Sequence, residues 1–251
     1  MKRFNNKVVV VTGGGSGIGK ATGLRFAEEG AKVALVDVSL KTKEDTLELF
    51  VKQDSEAIFL QGDVSDVKSV QNIINNVISN FGKLDILVNC AGIVLPGTLE
   101  TTEEADFDRT MAVNVKGTFL MTKYAVEQML KNGGGAVINI ASSIAIRGVT
   151  NRLAYTASKG AVLSMTRAMA SEYLRKNVRF NSICPGTTST PSLQQRINAS
   201  ADPKKALEGL TPPIGRLGKE SEIAEAILFA ADDKVSFMTG AALSIDGGET
   251  I

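Results

Sequence analysis

A run of five β-branched residues, Val8-Val9-Val10-Val11-Thr12, empties directly into Gly13-Gly14-Gly15-Ser16-Gly17-Ile18-Gly19, and nothing else in the chain limits its fold so strongly. The run has no alternation of apolar and polar residues, so it suits a strand covered on both faces. The glycines after it allow a sharp turn, and the segment beyond them has helical periodicity. The same pairing recurs along the chain. Strand-like segments fall at 7–12, 32–36, 57–60, 84–89, 136–140, 178–183 and 242–245. Helical segments lie at 17–30, 40–53, 66–81, 103–131, 153–176, 191–208 and 219–232. This alternation means right-handed crossovers and predicts an α/β fold: a doubly wound parallel sheet with helices on both faces. No repeat, low-complexity tract or linker divides the chain, and 1–251 is read as a single domain. Pro191, Pro203, Pro212 and Pro213 crowd the irregular stretch 186–215, just behind Pro185. That stretch is either a lid over a substrate site or a plain surface connection.

Composition removes several kinds of function. Hydrophobic residues make up 43% and charged residues 22%, which fits a globular chain and excludes a disordered one. Lys plus Arg number 28 against 27 Asp plus Glu, so no net basic field draws the chain to nucleic acid or an anionic membrane. No apolar run approaches the roughly 20 residues that span a bilayer. Met1-Lys2-Arg3 imitates the start of a signal peptide, but the apolar run Val8-Val9-Val10-Val11 is too short and leads into glycines. A cytoplasmic location is expected. Histidine is absent, which removes Ser-His-Asp and Cys-His machinery and histidine metal sites; no metal is expected. Proton transfer must then use a carboxylate, Lys, Cys or a Tyr of shifted pKa. Cys90 and Cys184 follow no metal or redox spacing and read as buried thiols in a reducing compartment.

The glycine turn carries the first chemistry. Its spacing is T-G-x-x-x-G-x-G rather than G-x-G-x-x-G, with Gly13, Ser16, Gly17, Ile18 and Gly19 at the strand–helix junction. There the backbone can approach a pyrophosphate, whose charge then rests on the positive end of the helix. A merely structural turn is the alternative. Asp37 ends the second strand, 18 residues beyond Gly19, where a carboxylate can accept hydrogen bonds from an adenosine ribose; the alternative is a solvated turn aspartate. Asp63-Val64 and Asn89-Cys90-Ala91-Gly92 end the next two strands, at the carboxyl edge where such sheets bind ligands.

Tyr155 and Lys159 are four residues apart in the 153–176 segment and share a helix face. Ser142 follows the strand at 136–140. A lone Tyr-x-x-x-Lys is usually a solvated face. Joined to a nucleotide loop, a strand-end serine and a chain without histidine, it points to catalysis.

With these residues in hand, the chain resembles the short-chain dehydrogenase/reductase family. The resemblance rests on 12–19, Asp63, 89–92, Asn114, Ser142, Tyr155, Lys159 and Pro185-Gly186, and it covers nearly the whole length. It implies a Rossmann-type fold, an NAD cofactor, and Tyr155 as the acid/base. For work near pH 7 the tyrosine pKa must fall from about 10 by about three units, roughly 4 kcal/mol; a cation about 4 Å away at an effective dielectric near 20 supplies that. Lys159 is the candidate, and it would also hold the nicotinamide ribose. The resemblance further implies that Ser142 donates to the reacting oxygen, that Asn114 holds a water in a proton relay from Lys159, and that Thr188 and Thr190 meet the nicotinamide amide and phosphates. It implies a homotetramer too, with the apolar residues of 103–131 (Phe119, Leu120, Met121) and of 153–176 (Val162, Leu163, Met165, Met169) packing against partner copies. Two departures stand out: Cys90 replaces a second Asn, and Thr188 replaces an aliphatic residue.

Within the family, the stretches before Tyr155 and after Gly186 are similar to those of cytosolic-type 3-hydroxybutyrate dehydrogenases and 2-keto-3-deoxy-L-fuconate dehydrogenases. That implies a small carboxylate-bearing hydroxy, keto or sugar acid, held by Arg152 and Arg196, whose forked guanidiniums suit a carboxylate. A third basic residue of such relatives falls at Leu207, with Lys204 and Lys205 nearby. Other readings are a 3-oxoacyl-acyl-carrier-protein reductase, a glucose-type sugar dehydrogenase, and a non-catalytic nucleotide sensor. The first commonly uses NADPH, yet Ser16 and Val38 stand where a basic residue would meet its phosphate. The last would need a broken Tyr155 or Lys159.

Overall fold

The computed structural model describes residues 2–251. Its strands are β1 (Val8–Thr12), β2 (Lys32–Asp37), β3 (Ala57–Gln61), β4 (Ile86–Asn89), β5 (Gly135–Ile140), β6 (Val178–Pro185) and β7 (Ala242–Ile245). They form one parallel sheet in the order β3-β2-β1-β4-β5-β6-β7. The order reverses between β1 and β4, which lie side by side with Val9 opposite Ile86 and Val11 opposite Val88. At that reversal, successive crossovers leave in opposite directions and open a crevice beyond the carboxyl ends.

Both faces of the sheet are covered, as the unbroken valine run requires. Val9 and Val11 pack with Phe26, Phe50, Ile223 and Ile227, from α1 (Gly17–Glu28), α2 (Lys43–Lys52) and α9 (Glu220–Ala231). Val8 and Val10 point the other way, towards Val70 and Ile74 of α3 (Val67–Phe81) and Leu120 and Met121 of α5 (Gly117–Lys131). Alternate side chains of one strand thus enter two separate cores. The strand Thr12 hydroxyl joins β1 to the residues after β4, accepting from the backbone N–H of Cys90 and of Ala91, each at 3.0 Å.

Two helical expectations change. The segment 103–131 is not one regular helix: α4 (Glu104–Met111) and α5 are joined by a wide π turn over Ala112–Lys116 with Asn114 at its centre. The segment 191–208 divides into α7 (Pro191–Asn198) and α8 (Pro203–Leu210). Pro203 has no N–H to continue α7, whereas Asp202 before it accepts from the Lys205 N–H at 3.0 Å and starts a new helix. The remaining helix, α6 (Leu153–Tyr173), leads into β6.

The apolar residues expected to meet partner copies divide differently. Leu120, Met121, Val162 and Leu163 are buried in the chain's own cores, and Phe119 stays half exposed. After β7 the chain turns back through Gly247 and Gly248, both at left-handed φ (60° and 88°), so that Glu249 returns to the carboxyl edge of the sheet. Among the described residues no helix is long and apolar enough to cross a membrane.

Candidate active site

The crevice widens into a cavity of about 1000 Å³ along the carboxyl edge of the sheet. One wall is the glycine turn. Gly13 has φ +65°, and a Cβ there would lie 3.0 Å from the Ala91 backbone; a Cβ at Gly19 would collide with the Gly13 carbonyl oxygen. These two glycines let β1, α1 and the residues after β4 close on one another. Ser16 stands at the N-cap of α1 without a side-chain hydrogen bond, and Ser16, Gly17, Ile18 and Gly19 line the cavity. The first N–H groups of α1 thus lack a side-chain cap where the helix dipole is positive.

Asp37, at the end of β2, faces the same wall. Its two carboxylate oxygens accept from the Gly15 and Ser39 N–H groups, each at 3.0 Å, which fixes the carboxylate and leaves further lone pairs free. Asp63, Val64, Ala91 and Gly92 continue the wall. Asn89 does not: its amide donates to Thr122 Oγ1 at 2.9 Å and Asn139 Oδ1 at 2.8 Å, beneath the cavity floor. An uncapped helix terminus plus a carboxylate one strand away is the donor and acceptor set that a dinucleotide needs, for its pyrophosphate and its adenosine diol. The residues fit that group.

Tyr155, Lys159 and Ser142 converge deeper in the cavity. Lys159 is 95% buried by its 5% exposure; its Nζ donates to the Ile140 carbonyl at 2.6 Å and lies 5.7 Å from the centre of the Tyr155 ring. Burial lowers the Lys159 pKa to about 8. Burial also raises the Tyr155 pKa, against the pull of the Ser142 hydroxyl and of the Arg196 and Arg152 guanidiniums. The sequence predicted a tyrosine lowered by its lysine neighbour. In the protein alone enclosure prevails, because Lys159 is drawn to Ile140 and is itself desolvated.

Asn114 sits beside this group, and a Cβ on Gly92 would lie 3.3 Å from Asn114 Oδ1 and 3.5 Å from Lys159 Nζ. The Asn114 side chain accepts from the Ile93 N–H at 2.8 Å and donates to the Ile93 carbonyl at 3.0 Å and Ser158 Oγ at 2.9 Å. It ties the loop after β4 to α6, so its own polar atoms are engaged by protein. Burial raises the neighbouring Cys90 thiol to about 12, which keeps it protonated.

The outer part of the cavity is lined by Arg152, at the start of α6, and by Arg196, on α7. Asn151, at left-handed φ 58°, aims the chain into α6, and the Arg152 guanidinium donates to the Asn151 carbonyl at 2.6 Å. Among the described residues neither guanidinium has a carboxylate partner. Partial burial and the Arg152 charge both lower the Arg196 pKa, and Tyr155 pulls it the other way. Pro185, Gly186, Thr188 and Thr190 bound the cavity on the β6 side, and Leu193, Leu210 and Pro212 bring α7 and α8 over it.

A family model described as Enoyl-(Acyl carrier protein) reductase matches residues 13–250. An uncharacterized oxidoreductase of Thermotoga maritima is 50% identical over 98% of this chain and 98% of its own. The chain belongs to the short-chain dehydrogenase/reductase family. A 2-(S)-hydroxypropyl-CoM dehydrogenase of Xanthobacter autotrophicus is 39% identical, covering 99% of this chain and 98% of its own. The crystal structure of levodione reductase superposes with a TM-score of 0.95 at 35% identity over 99% of each chain. The protein is therefore an oxidoreductase whose cofactor class is a nicotinamide dinucleotide.

Four residues of this site escape a reading of the sequence: Ser143, Arg147, Thr187 and Glu249. All four line the cavity. Glu249 lies 62 to 106 residues from the groups it bonds, and no local spacing signals such contacts.

Proposed function

We propose that this protein interconverts a secondary alcohol and a ketone on a small hydroxy, keto or sugar acid, with NAD as cofactor and Tyr155 as acid/base. The observation that carries the substrate reading is the pair Arg152 and Arg196. Both charges act on Tyr155 and Arg196 is pushed down by Arg152, yet neither guanidinium has a carboxylate partner among the described residues. Two like charges held together without a counter-ion cost energy that an anionic substrate would recover.

In the alcohol-to-ketone direction, Tyr155 takes the hydroxyl proton and Ser142 donates a hydrogen bond to the same oxygen. Arg152 and Arg196 hold the carboxylate, which fixes the reacting carbon and excludes water as α7 and α8 close over it. When bound, NAD supplies the hydride acceptor. Gly13, Ser16, Gly17, Ile18, Gly19, Asp37, Asp63, Val64, Ala91 and Gly92 would hold it, with Tyr155, Lys159, Pro185, Gly186, Thr188 and Thr190 on its reactive half. In this reading Lys159 stabilises the tyrosinate, and Asn114 fixes the loop beside it. Asp37 favours NAD, because a 2′-phosphate would approach a carboxylate that has no basic neighbour at Ser16 or Val38. The description of the matching family model supports a second reading, an acyl thioester substrate, which needs no guanidinium pair.

A panel that pairs each acid with its amide separates the two. Arg152→Ala and Arg196→Ala are each expected to lower kcat/KM for the acid by about 10- to 1,000-fold, roughly 1.4–4 kcal/mol, with NADH affinity nearly unchanged. Amides that turn over as well as the acids would sink the carboxylate reading and leave the thioester. In the same assay kcat/KM with NAD should exceed that with NADP by about tenfold or more, from charge repulsion at Asp37; equal values would show that Asp37 does not meet the ribose. The half-exposed Phe119 leaves one apolar side chain of α5 for a partner copy in the homotetramer that the resemblance implies. Light scattering at micromolar concentration should return four chains, and a single-chain mass would refute it.

A further inference from the structure

We infer that Glu249, two residues from the chain end, is a positioning residue that clamps the loop bearing Ser142 to the loop bearing Thr188. Its side chain is 4% exposed and its carboxylate receives four donors. One oxygen accepts from Ser143 Oγ at 2.6 Å and from the Arg147 guanidinium at 2.8 Å. The other accepts from the Thr187 N–H at 2.8 Å and Thr187 Oγ1 at 2.7 Å. The first pair belongs to the segment between β5 and α6, which begins at Ala141, carries Ser142 and ends at Arg152. The second belongs to the segment after β6, which runs on through Thr188 and Thr190 to α7.

These two segments meet no shared strand ladder beyond Ile140 and Ile183, where the β5–β6 pairing stops. Past that point the Ala141 N–H still donates to the Ile183 carbonyl at 2.8 Å, and Glu249 adds the side-chain link further along both loops, through charge-assisted hydrogen bonds, which are shorter and stronger than neutral ones. The donors overcome the cost of burying the carboxylate: its pKa is lowered, although burial alone would raise it. The same contact pairs Arg147, itself a cavity residue, with Glu249. Glu249 touches neither Tyr155 nor Lys159 in any hydrogen bond, so its effect passes through the position of Ser142 and Thr188.

The inference rests on the proposed dehydrogenase reading, and the test separates the two. Glu249→Ala, Glu249→Gln and Tyr155→Phe are assayed as full-length enzyme with a hydroxy acid that the wild type oxidises, and NADH binding is followed by fluorescence. Glu249→Ala is expected to lower kcat by about 10- to 100-fold through lost alignment of Ser142 and to weaken NADH binding by about 3- to 10-fold through release of the Thr188 loop, while the substrate KM moves by less than about threefold. Glutamine keeps an oxygen for Thr187 and a polar partner for Ser143, so Glu249→Gln should recover kcat to within about fivefold of wild type. A Glu249→Ala enzyme within twofold of wild-type kcat, or a Glu249→Gln enzyme no better than Glu249→Ala, overturns the clamp. If Glu249→Ala does not fold, Glu249→Gln and Ser143→Ala carry the test, the latter expected to lower kcat without changing NADH binding. Tyr155→Phe identifies the failing layer: full turnover there overturns the assignment of Tyr155 as acid/base on which the clamp's effect rests, whereas an inactive Tyr155→Phe beside an unaffected Glu249→Ala overturns the clamp alone.

Discussion

Every strand of the sheet runs the same way, and the rest of the molecule follows from that. A parallel ladder cannot be closed by tight hairpins, so each strand needs a crossover, and the crossovers bury both faces. The unbroken Val8-Val9-Val10-Val11 run answers that demand by feeding two cores at once. Seven parallel strands also deliver seven carboxyl ends to one edge, so residues far apart in sequence meet there. Asp37, Asp63, Gly92, Ser142 and Gly186 reach the same cavity by this route. The reversal of order at β1 and β4 decides where along the edge the cavity opens.

What the sheet gathers, burial then tunes. A lysine taken out of water loses several kilocalories of hydration, and the shift of Lys159 from 10.5 to about 8 corresponds to about 3 kcal/mol. Its 2.6 Å bond to the Ile140 carbonyl offsets only part of that. Enclosure therefore governs the protein alone, and the tyrosine beside it is pushed up, not down. Positive charge works in the opposite sense: Arg196 and Arg152 both favour tyrosinate. The site is poised between desolvation, which keeps Tyr155 protonated, and cations that ease loss of the proton.

Much of this could be read from residues alone, for physical reasons. Strand and helix periods are local, so the element order and the parallel sheet were legible, and the glycine turn and Tyr155–Lys159 pair are short-range patterns at fixed spacing. The π turn at Asn114 was not, because hydrogen-bond slippage within a helix leaves the same hydrophobic period. The break between α7 and α8 was signalled by Asp202-Pro203 but outweighed by helical spacing on either side. Asn89 reads like its neighbours Ala91 and Gly92, yet strand alternation turns it under the floor, towards Asn139. Glu249 was beyond reach, since its partners come from two other loops and only the folded sheet brings them together.

We propose that Tyr155 is an acid/base whose ionisation is set by enclosure against positive charge. The protein has three tyrosines, so 13C labelling at the phenolic carbon gives three signals, and Tyr155→Phe identifies one of them. In the protein alone that signal should titrate above the ordinary tyrosine value of about 10, because burial disfavours the anion. With oxidised NAD bound, the positive nicotinamide ring beside Tyr155 should carry its midpoint down, so tyrosinate appears at lower pH. A Tyr155 signal that titrates at or below the ordinary value in the protein alone, or that NAD leaves unmoved, would contradict the account.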